Sequence, residues 1–154
     1  MRILTLKYKS SGFSLIELMI VVTIATILAA IAIPAYNSQI RKSRRTEAKT
    51  AIMDLAAREE RYFATQNIYS NDGVALQYGA AFPVSTGNYY TITVVNQVGA
   101  PSATAPGTYT LWVVPAAGSS QLQDTSCQTF IVDQTGKQTS LDSSGNDSTA
   151  TCWP

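Results

Sequence analysis

The residues best placed to do chemistry in this chain are Gly12, Phe13 and Glu17, at the head of an apolar stretch that reads FSLIELMIVVTIATILAAIAIPA from Phe13 to Ala35. Glu17 is the one charge in that stretch. A carboxylate inside a membrane-length segment costs a few kcal/mol to insert, so its presence calls for a partner or a role. Gly12, just ahead of the run, leaves the backbone free of a side chain. Catalysis is poorly served elsewhere. The chain has no histidine, which removes the commonest general base and the commonest metal ligand. With scattered acids and two cysteines, no nucleophile, base and orienting group can be assembled, so no enzyme, metal or cofactor is expected. Asp142, Asn146 and Asp147 form a polar cluster, but it lacks the Glu and the spacing of a calcium loop.

The elements that position these residues follow from charge and periodicity. Arg2, Lys7 and Lys9 precede Gly12 without an acid, which favours keeping that end in the cytoplasm. Phe13–Ala35 as a helix is about 35 Å long, enough to cross a hydrocarbon core of roughly 30 Å. Pro34 closes the apolar run and should kink or loosen the helix, because it lacks an N–H and crowds the carbonyl one turn back. Past it, Ala48, Ile52, Leu55, Ala56, Glu59, Tyr62 and Phe63 approximate helical spacing. That stretch, about Tyr36 to Thr65, reads as an amphipathic half carrying Arg41, Lys42, Arg44, Arg45, Lys49, Arg58 and Arg61. The bases read as a collar at a membrane surface or as a solvated helix face.

After Phe63 the period changes from helical to alternating. Gln66–Thr86 reads as a connecting loop with a turn at Asn71-Asp72-Gly73. Asn88–Asn96, Thr108–Val114, Cys127–Asp133 and Lys137–Leu141 read as strands, with Tyr90, Ile92, Val94, Tyr109, Leu111 and Val113 on inward faces. Gln134-Thr135-Gly136 should turn the last hairpin, its glycine free to take a positive φ. Ala100–Gly107 and Ser143–Ala150 read as surface loops. The fold class is therefore α+β: a long N-terminal helix, transmembrane half plus amphipathic half, packed on a small antiparallel sheet of three to four strands. The domains expected are a leader over 1–12, a helix over 13–65 (its assembly half 13–35) and a head over 66–154. Cys127 and Cys152 form an even pair in a chain that leaves the cytoplasm, which suggests one disulfide; two free thiols are the alternative. Tyr62, Phe63, Tyr89, Tyr90, Tyr109 and Trp112 are read as core rather than as a ligand platform.

The segment KYKSSGFSLIELMIVVTIATILAAIAI, Lys7–Ile33, resembles the N-terminus of type IV pilins and pseudopilins. The shared pattern is a short basic leader, Gly, a Phe-like residue, then Glu four residues later in an apolar run. The resemblance implies that a prepilin peptidase cuts between Gly12 and Phe13 and methylates the new Phe13 amine. It also implies that Glu17 pairs with the cationic amine of a neighbouring subunit, a single charge that can set the axial stagger of packed helices. Partners implied are other pilin subunits through the N-terminal helix, the peptidase, the inner-membrane assembly machinery and, before assembly, the membrane itself. The location implied is the bacterial inner membrane, then an extracellular pilus serving motility or adhesion. An ordinary membrane anchor would leave Gly12, Phe13 and Glu17 unexplained, and a secretory signal cut after Ala30-Ile31-Ala32 would put Glu17 inside its apolar region. Many pilins carry Gly where this chain has Thr26, whose hydroxyl can bond back to a carbonyl one turn earlier.

Further along, RRTEAKTAIMDLAAREERYFATQNIYS (Arg44–Ser70), FIVDQTGKQ (Phe130–Gln138) and the ending Cys152-Trp153 are similar to minor pilins of the PilE/ComP type in type IVa systems. Some relatives bind DNA during uptake. Lys137 stands almost alone among acids beyond Tyr62, so DNA, which needs exposed bases to neutralise phosphate, is the secondary partner here. A type II secretion pseudopilin is the other alternative.

Overall fold

The computed structural model describes residues 12–87, 89–98 and 107–153, with backbone alone for 96–98. The leader apart from Gly12, and the loop expected at Ala100–Gly107 apart from Gly107, lie outside them. Helix α1 runs Leu15–Gln66, with Pro34 inside it. The chain divides between Asn37 and Ser38 into two compact units, and each is described by itself.

In the first unit the side chains from Phe13 to Ile33 are almost all exposed, and no residue of the most apolar window is buried. That window is long and apolar enough to cross a membrane. Leu, Ile, Ala and Val with no interior glycine support a continuous helix. Thr26 Oγ1 donates to the Thr23 carbonyl at 2.8 Å and Thr23 Oγ1 to Met19 at 2.7 Å, so these hydroxyls are satisfied within the helix as the sequence predicts for Thr26. The backbone is helical at both Thr26 and Pro34.

In the second unit the remainder of α1 buries Ala48, Ile52, Leu55 and Glu59 completely, a stripe at four-, three- and four-residue spacing. The stripe faces a core of Tyr90, Ile92, Tyr109, Leu111, Val113, Phe130 and Val132 from the sheet. The helix ends where Asn67 takes φ 56° and its N–H reaches the Phe63 carbonyl at 2.8 Å, an αL cap that Asn adopts more readily than most residues.

The sheet is an antiparallel meander in the order β1-β2-β3-β4-β5: β1 Val84–Thr86, β2 Tyr90–Val98, β3 Thr108–Pro115, β4 Thr129–Asp133 and β5 Gln138–Leu141. Five strands replace the three to four expected. The addition is β1, three residues that the sequence places in the connecting loop; too short to show a period, they are recruited by pairing Ser85 with Thr91. The inward faces fall where alternation puts them, until the register of β2 on β3 shifts between Val94 and Asn96 and leaves Val95 as an exposed extra residue. In the β4–β5 turn Gly136 has φ 77°, and Asp133 Oδ1 accepts the Thr135 and Lys137 N–H groups. Gly87 (φ 75°) turns β1 into β2 in a backbone conformation that favours glycine, while a Cβ there would press only on the movable Glu47 carboxylate at 3.0 Å.

The loop at Ser143–Ala150 is more ordered than a polar linker. Leu141 bridges to Asp147, and the short helix α2, Thr149–Cys152, carries the second cysteine. Asp142 Oδ1 accepts N–H bonds from Ser144 and Asn146; the Asn146 backbone and then its side chain hold this carboxyl below its ordinary range.

Candidate functional site

Two sets of residues stand out, one in each unit. In the first, Gly12 and Phe13 are exposed and precede α1, and a Cβ on Gly12 would meet nothing within 4 Å among the described residues. Glu17 lies in the first helical turn, where the unpaired N–H groups favour a negative charge. Phe13 lies two residues ahead of the helix and four ahead of Glu17. Around them Leu15, Ile16, Leu18, Met19 and Ile20 are all more than half exposed. An apolar surface of this extent requires lipid or other helices to cover it.

In the second unit the structure brings Cys127 and Cys152 together as a disulfide, with both residues buried and a sequence separation of 25. This decides between the bridge and the two free thiols. Trp153 follows, donating from Nε1 to the Thr139 carbonyl at 3.1 Å and meeting Phe130 edge-on at 5.7 Å. Tyr90 and Tyr109 lie in the core and Tyr62, Phe63 and Tyr89 pack against it, with Phe63 stacked on Tyr69 at 4.5 Å and Tyr69 edge-on to Tyr109 at 4.8 Å. Trp112, expected there too, alternates with Leu111 and Val113 and stands half-buried outside the core.

The basic collar is the reading that the structure changes most. Arg45 forms a bidentate pair with Asp124, Nε and Nη2 each at 2.8 Å, and the two side chains are only 12% and 5% exposed. Buried Gln121 donates to the Arg41 carbonyl at 3.0 Å and to Asp124 Oδ2 at 3.1 Å. Arg44 donates to Ser120 Oγ at 2.6 Å and lies 3.7 Å from the centre of the Tyr89 ring. Thus Arg41, Arg44 and Arg45 clasp the 3₁₀ turn Ser120–Gln123, four residues ahead of Cys127, instead of forming a wholly solvated face. Lys49, 5.4 Å from the Trp153 ring centre, has its pKa lowered, first by burial and then by Arg45. Arg58 is likewise engaged, pairing with Asp54 at 2.8 Å and donating to the Leu76 and Gln77 carbonyls. Lys42, Arg61 and Lys137 are the exposed cations of this unit.

Sequence reasoning places Glu59 on the packed face of the helix without a role. It is fully buried; Oε2 accepts the Ser70 N–H at 3.0 Å, and Oε1 has no hydrogen-bond partner among the described residues. Burial pushes its carboxyl up to about 7, opposed by the Ser70 N–H and reinforced by the charge of Glu60. Its signal in the sequence is an acid at the four-residue step after Leu55 in an otherwise apolar stripe.

Comparison with known proteins agrees with both units. Residues 7–33 match the prokaryotic N-terminal methylation motif. Residues 34–131, well over half the chain, match the family described as type IV minor pilin ComP, DNA uptake sequence receptor. The type IV major pilin protein PilA of Myxococcus xanthus is 42% identical over 71 residues, 46% of this chain and 32% of that protein. The fimbrial protein EcpC of Eikenella corrodens is 37% identical over 94 residues, 61% of this chain and 60% of its own. The type IV major fimbrial protein FimA of Dichelobacter nodosus is 60% identical over 42 residues, 27% of this chain and 26% of its own. The matched region therefore spans less than two thirds of each of these relatives. They are pilins and fimbrial proteins, not enzymes. With a methylation motif leading into an apolar helix, and a head of helix, antiparallel sheet and one disulfide, the chain belongs to the type IV pilins, in the ComP minor pilin family.

Proposed function

We propose that this chain is a minor subunit built into a type IV pilus after removal of its leader between Gly12 and Phe13 and N-methylation of Phe13. The observation that carries the proposal is the exposed apolar helix start with Glu17 as its one acid, directly after Gly12-Phe13. A prepilin peptidase supplies the cut, the inner membrane holds the subunit before assembly, and the assembly machinery passes it into the fibre, where other pilin helices replace lipid around it. Glu17 then pairs with the Phe13 amine of a neighbour, and Pro34 gives the helix a weak point where it leaves the packed filament core. The fibre would serve motility or adhesion.

Two measurements test this. The intact mass of the mature chain should correspond to a Phe13 start plus one methyl; an uncut Met1 or an Ile33 start defeats the proposal. Glu17→Val should insert and be processed normally yet be lost from sheared fibres by about tenfold or more, as an unpaired amine in an apolar core costs over 1.4 kcal/mol. Incorporation at the wild-type level would remove the pairing role.

A second reading, DNA reception, is favoured by the description of the ComP family itself. Against it stands the engagement of Arg41, Arg44, Arg45 and Arg58 inside the fold, which leaves few free bases for phosphate. Gel shifts with the detergent-solubilised chain separate the two. A receptor should bind duplex DNA with affinity falling steeply between about 50 and 200 mM salt, whereas a purely structural subunit should show only weak binding at any salt.

A further inference from the structure

Glu59 is the buried ionisable group that neither assembly nor the head's ion pairs explain. Among the described residues no Lys or Arg forms an ion pair with it. The titratable groups bearing on it are Glu60 of the same helix, Tyr69 of the connecting segment and Tyr109 of β3. Both tyrosine hydroxyls donate to Glu60 Oε1, at 3.2 and 3.1 Å. An ionised carboxylate in this position therefore lacks a counter-charge and has one oxygen without a donor, which is costly away from water.

Glu59 bonds to the backbone of the segment leading away from α1. Ser70 N–H donates to it, and Ser70 Oγ in turn accepts the Asp72 N–H at 3.0 Å. On either side the segment is clamped independently: Tyr69 sits against Phe63 and Tyr109, and the Leu76 and Gln77 carbonyls are held by Arg58. Between the clamps, Asp72 is tied forward by the Leu76 N–H on its carbonyl at 3.0 Å and the Val74 N–H on its Oδ1 at 2.9 Å, whereas the Ser70 N–H rests on Glu59.

We propose that Glu59 is a proton-controlled latch: neutral, it holds Ser70–Asp72 against the helix, and ionised, it releases that stretch so that water reaches the carboxylate. The sign follows from linkage. In the opened state the group returns toward its ordinary value of 4.5, whereas closed it titrates near 7. The closed state therefore binds more protons across that interval, and opening becomes more favourable as pH rises through it and levels off above. The surface that the head offers around Ser70 is thus set by pH, by local opening and without unfolding of the sheet.

The test is amide hydrogen exchange by NMR on the full chain in detergent micelles, corrected for the intrinsic pH dependence of exchange. Protection at Ser70 and Asp72 should fall about ten- to thirtyfold between roughly pH 5.5 and 8.5, while core amides of β3 and β4 do not follow. Glu59→Gln, which cannot ionise, should abolish the change, and Glu60→Gln should keep it. Constant protection at Ser70 in the wild type overturns the proposal, as does a Glu59→Gln variant that retains the wild-type response. The ¹³C titration of the wild-type Glu59 carboxyl decides without any variant: a midpoint near 4.5 defeats the latch.

Discussion

Replacing Arg45 by alanine should destabilise the head by about 3–5 kcal/mol, because it leaves the Asp124 carboxylate buried without its counter-charge. Asp124 is 5% exposed, and its two oxygens are taken up by Arg45 and Gln121. Gln121 alone cannot neutralise it. The damage should spread to the turn Ser120–Gln123 and on to Cys127, whose N–H donates to the Asp124 carbonyl at 3.3 Å. Urea denaturation of the purified chain followed by tryptophan fluorescence measures the loss. The double variant Arg45→Met with Asp124→Leu should recover most of it, since exchanging a whole buried ion pair for apolar groups of similar volume is often neutral. A loss below about 1 kcal/mol for Arg45→Ala, the range of exposed ion pairs, would show that this clasp is open to solvent.

Opening the disulfide should cost a comparable amount. Cys127 and Cys152 are separated by 25 residues, and closing a loop of that size removes about 3.5 kcal/mol of unfolded-chain entropy at 25 °C. The double variant Cys127→Ser with Cys152→Ser should lower the urea midpoint accordingly. Because both cysteines are buried, the wild-type bridge should also resist mild reductant until the head opens. An unchanged midpoint in the double variant would mean that the hydrogen bonds of the terminal segment, such as Ser148 N to the Ser140 carbonyl at 2.9 Å, already constrain it. Combined with Arg45→Ala, the losses should exceed simple addition or fall short of it, because the clasp and the bridge meet at Cys127.

The two parts of this molecule were legible to different degrees. Gly12, Phe13 and Glu17 stand out in the sequence because a lone acid in an apolar run is improbable without a use, and no tertiary context is needed to see it. The buried stripe Ala48, Ile52, Leu55 and Glu59 and the inward faces of β2 and β3 follow from periods of 3.6 and 2, which are properties of the local backbone. The positive φ of Gly136 follows from turn chemistry in the same way. Strand β1 did not, because three residues are too few to display a period and only pairing with β2 makes them a strand.

Charge was where sequence reasoning fell short. Arg41, Arg44 and Arg45 read as a collar because their near neighbours are also basic, yet Asp124 lies 79 residues beyond Arg45. Nothing local ranks that acid above Asp133 or Asp142 as its partner. What the sequence by itself determined is the apolar helix, the order of elements and which side chains share a face, since these depend on residues a few positions apart. Which cations are spent inside the fold, where Glu59 is sealed and how Cys127 reaches Cys152 were decided only by tertiary structure. Long-range electrostatic pairing depends on distance and burial, and both come into existence only when the chain closes on itself.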